Sequence, residues 1–156
     1  MTGVQTCALP ILDRELVLRY IAFKLCPYKE FYEKKIVLST FLDKTMEKID
    51  SKDFTKEKFE ELKNDLLNNL KFLSTLFDKD ILFNKRLVDK SKTATLNRSL
   101  FEVWTVLISN LTENEKQKIY ENKELLTEKY KKLLIEEEFE DSITKEIGRA
   151  SCRERV

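Results

Sequence analysis

The cations best placed to do chemistry in this sequence, Lys85, Arg86, Lys90, Lys92 and Arg98, lie in and beside one polar stretch, NKRLVDKSKTAT at residues 84–95. Such a cluster suits a phosphate-contacting surface, because Lys and Arg neutralise phosphate charge and release its counterions. No aromatic side chains interleave with these cations and the chain carries no basic excess, so a solvated loop is the stronger reading. Asp13, Glu15 and Arg19 are a second set. Two carboxylates beside a guanidinium suit acid–base or phosphate chemistry, but acids at a helix start and a Glu–Arg pair four residues apart are ordinary helix stabilisers. Glu136 to Glu138 with Glu140 and Asp141 lack the glycine and the Asx spacing of a calcium loop, and read as a solvated face. Cys26, beside apolar residues at a helix end, reads as a buried, inert thiol, and Trp104 as core. No catalytic, cofactor-binding or metal-binding residue is assigned.

Composition excludes more than it suggests. The chain has 156 residues, 29 Lys+Arg against 28 Asp+Glu, no His, two Gly, two Pro and three Cys. Without His there is no Ser–His or Cys–His pair, no His-ligated metal and no imidazole base. Two glycines cannot build a phosphate loop or a dinucleotide fingerprint. A net charge of +1 gives no electrostatic case for a nucleic-acid or membrane surface.

The two ends read as non-native. Residues 2–11, TGVQTCALPI, translate a short-read sequencing-library adapter, and residues 146–156, EIGRASCRERV, translate the opposite adapter. Residues 1–12 and 146–156 are therefore expected to be adapter-derived tails, to be set aside from fold reasoning and to be disordered or arbitrarily placed. Between them, residues 13–145 hold no Gly, one Pro (Pro27), one Cys (Cys26) and equal numbers of acids and bases. A lone Cys excludes an internal disulfide and suits a reducing cytoplasm. No stretch approaches the length of a membrane span. The parent protein is expected to extend beyond both ends.

The elements follow from periodicity and punctuation. Absence of Gly argues against tight hairpins and for helices joined by polar caps. The expected helices cover residues 13–26 (stopped by Pro27), 37–49, 56–77 with Thr55 as N-cap, 98–111 with Asn97 as N-cap, 113–120 and 123–137. Phe59, Leu62, Leu66, Leu70, Leu73 and Phe77 give the third its apolar stripe, and Thr112 with Glu115 forms a capping-box spacing before the fifth. The fourth, apolar on most faces, is expected to be the most buried. YKEFYEKK reads as irregular or one turn, residues 84–95 as a loop and FEDSIT as an exit segment. The fold expected is all-α, a truncated bundle of five or six helices.

The string DRELVLRYIAF, residues 13–23, resembles the D-R-E-x-V-L-R-F-x-A-F block of the GmrSD restriction endonuclease N-terminal domain family. Further blocks match in the same order: TFLDKTMEKI (40–49), LFDKDILFNKR (76–86), LNRSLFEVWTVLISNL (96–111) and EEEFEDSIT (136–144). Members of that family carry upstream a ParB/sulfiredoxin-like domain whose D-G-Q-Q-R motif binds and hydrolyses nucleotide, accompanying cleavage of foreign, base-modified DNA in the restriction members. This chain has no D-G-Q-Q-R and stops before the family's G-T-containing continuation, so no catalytic residue carries over.

The resemblance implies that residues 13–145 are the helical C-terminal part of such a domain, in a cytoplasmic bacterial defence protein. It implies for the parent an NTP with a divalent metal, and for this segment no cofactor. The implied partners are the missing N-terminal catalytic half and, through the parent, DNA, with no membrane. Arg19 and Asn97, in matched blocks, join Lys85, Arg86 and Arg98 as expected phosphate, DNA or interdomain contacts. The rival expectation is a non-enzymatic helical module that binds a partner helix; a nucleic-acid-binding helical domain without catalysis ranks below both.

Overall fold

The computed structural model describes residues 9–92 and 95–144, with side chains from Arg14 onward. Of the expected tails, residues 1–8 and 146–156 lie outside the described residues, as does residue 145. Every regular element among those described is helical, so the chain is all-α. It divides into two compact units, residues 1–54 and 55–156.

The first unit holds α1 (Leu9–Leu25), α2 (Tyr28–Glu33) and α3 (Leu38–Ile49). Helix α1 begins at Leu9 instead of Asp13, so four residues of the expected tail are helical. Leu9–Leu12 contain good helix formers, and a proline in the first turn removes no intrahelical bond. The helix stops at Leu25 because Pro27 disfavours the α conformation at Cys26, and Pro27 then serves as N-cap of α2. The stretch expected to be irregular or one turn is thus a six-residue helix. Its end is a Schellman turn: Ile36 N–H donates to Phe31 O (3.4 Å), Lys35 N–H to Tyr32 O (3.1 Å), and Lys35 sits at φ 47°. Helix α1 packs on α3. Phe23 is the hub, stacked on Tyr28 at 4.2 Å and set 5.4 Å from Phe31 and 5.0 Å from Phe41. On α3 Thr45 is buried with Leu38 and Phe41 while its apolar neighbour Met46 is exposed, and burial of the Thr45 hydroxyl is met by its bond to Phe41 O at 2.9 Å.

The second unit holds α4 (Lys56–Leu76), a 3-10 turn at Lys85–Leu87, α5 (Arg98–Ser109), α6 (Glu113–Glu121), α7 (Lys123–Ile135) and α8 (Glu137–Thr144). Helix α5 packs on α4 and α8, and α7 packs on α8 and α6. The core is built from Leu73, Leu76, Phe77, Leu82, Leu100, Trp104, Ile108, Tyr130, Leu134 and Ile143. Helix α5 buries seven of its twelve residues, among them Trp104, in keeping with its all-round apolar sequence. Trp104 meets Tyr130 edge-on at 5.0 Å and Phe77 at 5.4 Å.

Thus eight α-helices are present among the described residues, against the five or six expected. The two additions, α2 and α8, are short, and each is pinned by one buried apolar residue, Phe31 and Ile143. The FEDSIT stretch is helical because Ile143 completes the core and three acids in the first turn of α8 complement its dipole.

Candidate functional site

The polar stretch 84–92 folds against the N-terminus of α5 and the C-terminus of α8, leaving a cleft of about 430 Å³. It begins at Asn84, which is buried and bonded on both sides: its Nδ2 donates to Asp80 O at 2.7 Å and its Oδ1 accepts Arg86 N–H at 2.8 Å. That pair of bonds caps the 3-10 turn and sets Lys85 toward α8. There Lys85 Nζ lies 2.6 Å from Glu140 Oε1 and 3.3 Å from Thr144 Oγ1. The Lys85 ammonium, through its hydrogen bond and its charge, holds the Glu140 carboxyl below the usual carboxylate range.

Asn97 closes the opposite wall. Its Oδ1 accepts Leu100 N–H (3.0 Å) as the α5 N-cap, its Nδ2 donates to Ile143 O (2.9 Å), and its own N–H donates to Phe83 O (2.7 Å). Ser91 is turned in by Asp89, whose Oδ1 accepts both its N–H and its hydroxyl. Lys92 and Thr95 complete the rim.

Of the expected contact residues, Lys85 and Asn97 therefore meet in one cleft, joined by Lys92. Arg86 is half-buried and enters the cap through its backbone, Arg98 opens α5, and Lys90 is exposed. Arg19 belongs to the first unit. It is buried at 3% exposure, and its Nε and Nη2 both reach Glu15 Oε1, at 3.0 and 2.7 Å, so the expected helix pair is present. Sequence reasoning missed Asn84, Glu140 and Thr144. Glu140 reads as one more acid in a solvated run until α8 folds back on residue 85.

Cys26 corrects another expectation: it is half-exposed instead of buried, because Pro27 ends α1 beside it. Burial and the neighbouring Glu30 still push its thiol upward, away from the reactive thiolate. No group of three or more metal-ligating side chains converges among the described residues, and no helix among them is long and apolar enough to cross a membrane.

The site is a polar junction where three segments distant in sequence are tied together. Compared with known family models, curated proteins and solved structures, the chain matches none.

Proposed function

We propose that this segment is a non-catalytic helical part of a cytoplasmic restriction-type defence protein, and that it packs against and stabilises a nucleotide-hydrolysing half supplied elsewhere in the parent chain. One observation supports this reading: the sequence blocks that resemble the GmrSD N-terminal family pack against one another within each unit. In the first unit, block 13–23 on α1 packs on block 40–49 on α3. In the second, block 76–86 joins 96–111 through Asn97 N–H to Phe83 O and the Phe83–Phe101 rings at 5.0 Å. Block 136–144 joins both, through Lys85–Glu140 and Asn97–Ile143. Within the second unit the matched blocks share their core with α4 and α7, which lie largely outside them. In this reading Lys85, Arg86, Asn97 and Arg98 face DNA or the catalytic half, and nucleotide and divalent metal belong to that half.

The test is to sequence outward from the codons for Asp13 and Lys145 and translate the flanking frame. An upstream D-G-Q-Q-R is expected, as is absence of nucleotide turnover by the purified chain. Turnover by the chain alone, or a flanking frame without the motif, overturns the reading.

The rival, a non-enzymatic interaction module, is favoured by Val103 and Leu107, four residues apart on α5 and 39% and 50% exposed. A partner helix covering that stripe would explain apolar side chains in water. The same flanking sequence decides, since a module needs no D-G-Q-Q-R.

A further inference from the structure

A pocket of about 170 Å³ in the first unit lies where the C-terminal end of α1, the end of α2 and the middle of α3 come together. Its floor is apolar, with Ala22 and Phe41 buried, and its rim carries Lys34, Lys44, Lys48 and Glu30. Glu30 is already committed, as the ion-pair and hydrogen-bond partner of Lys34. Neither Lys44 nor Lys48 has an ion-pair partner among the described residues. They sit four residues apart on α3, and like charges at that spacing oppose the helix that carries them. Three ammonium groups on one rim against the single Glu30 carboxylate, which pairs with Lys34 and also feels the charge of Lys48, leave the concavity net positive and suited to an anion.

Charge and size narrow the ligand. A carboxylate would leave one ammonium unmatched, whereas a phosphate carries roughly −1.5 to −2 at neutral pH and matches two. At about 170 Å³ the pocket lies below the range of sites for whole cofactors. We propose that this pocket binds a single phosphate group, held by Lys44 and Lys48 and flanked by the Lys34–Glu30 pair. The site lies wholly within residues 22–48, so it stands or falls independently of the reading given for the parent protein.

The test titrates inorganic phosphate into the isotopically labelled full chain at ionic strength fixed with sodium chloride, following backbone signals of residues 34 and 44–48. Saturable shifts with a Kd of roughly 1 mM are expected, with acetate about tenfold weaker. Lys44→Gln and Lys48→Gln should each weaken phosphate about threefold or more, while Glu30→Gln, by releasing Lys34, should strengthen it about threefold. Circular dichroism of the three variants checks that the helices persist. Linear, unsaturable shifts, equal responses to acetate and phosphate, or an affinity unmoved by the lysine substitutions would overturn the proposal. Phosphate slowing the alkylation of Cys26, which lines the pocket, is the corroborating readout.

Discussion

Asn97 and Ile143 lie 46 residues apart and are joined by one hydrogen bond, Asn97 Nδ2 to Ile143 O at 2.9 Å. The same amide caps α5 through its Oδ1, so a single side chain starts one helix and holds the end of another. The two jobs are separable by chemistry. Asn97→Ala removes both and should cost about 2 kcal/mol in urea unfolding, combining a lost cap with a buried carbonyl left short of a donor. Asn97→Asp keeps the acceptor but loses the donor, and should cost about 1 kcal/mol. An Asn97→Asp variant as stable as the parent chain would show that the tie to Ile143 carries no weight, and equal losses for the two variants would show that the cap carries none.

Lys85 and Glu140 make the second tie between the same segments, and its pH dependence follows from the direction of the shift. The Glu140 carboxyl is held below its ordinary value of 4.5 by Lys85, so the pair's contribution is present above that value and is lost as pH falls through the lowered folded value. Glu140 is solvent-exposed, so the effect is small and screened by salt. Comparing Glu140→Gln with the parent chain should show a stability difference at neutral pH and low salt that vanishes in strong acid. A difference that persists in acid would assign it to packing of α8 instead of charge.

Tyr130 is 5% exposed, and its hydroxyl lies beside Trp104 without a hydrogen bond of good geometry to any described group. Burying an unsatisfied hydroxyl costs free energy that its ring contacts must offset. Tyr130→Phe keeps the ring and should leave stability unchanged or raise it by about 1 kcal/mol. Burial also raises the phenol above its ordinary 10, so the folded state holds that proton more tightly than the unfolded state. Stability therefore falls as pH rises past the unfolded value, and the phenylalanine variant should lose less in alkali. Destabilisation by Tyr130→Phe at neutral pH would reveal a partner for the hydroxyl.

How much was legible in advance depended on whether an element announces itself locally. Thr55, Asn97 and Thr112 are polar caps before apolar periods, and all three accept the expected bond, from Lys58, Leu100 and Glu115 N–H. Glu115 returns its carboxylate to Thr112 N–H at 2.8 Å, completing the capping box. Helix α2 reads in sequence as no more than one turn and α8 as an exit segment because both are shorter than an isolated helix can sustain and owe their existence to Phe31 and Ile143 finding the core. The cleft was half legible for the same reason. Its cations stand out in sequence, but Glu140 and Thr144 reach Lys85 only once α8 returns, and nothing near residue 140 encodes that return. Cys26 was misjudged because hydrophobic neighbours in sequence say little about burial where a proline turns the chain.

Lys35 offers a test of backbone energetics alone. Its φ of 47° puts a side-chain-bearing residue in the left-handed region, at the position of the Schellman turn where glycine is preferred. A non-glycine residue there costs roughly 1–2 kcal/mol, while glycine loses more backbone entropy on folding, so the two effects partly cancel. Lys35→Gly should then raise stability by about 0.5–1 kcal/mol, and Lys35→Asn should fall between, since Asn tolerates the left-handed region better than Lys. The turn also sets Lys34 and Ile36 at the edge of the anion pocket, so the glycine variant should leave phosphate affinity unchanged while unfolding shifts. Stabilisation by Lys35→Val, which β-branching should forbid at this φ, would contradict the left-handed turn itself.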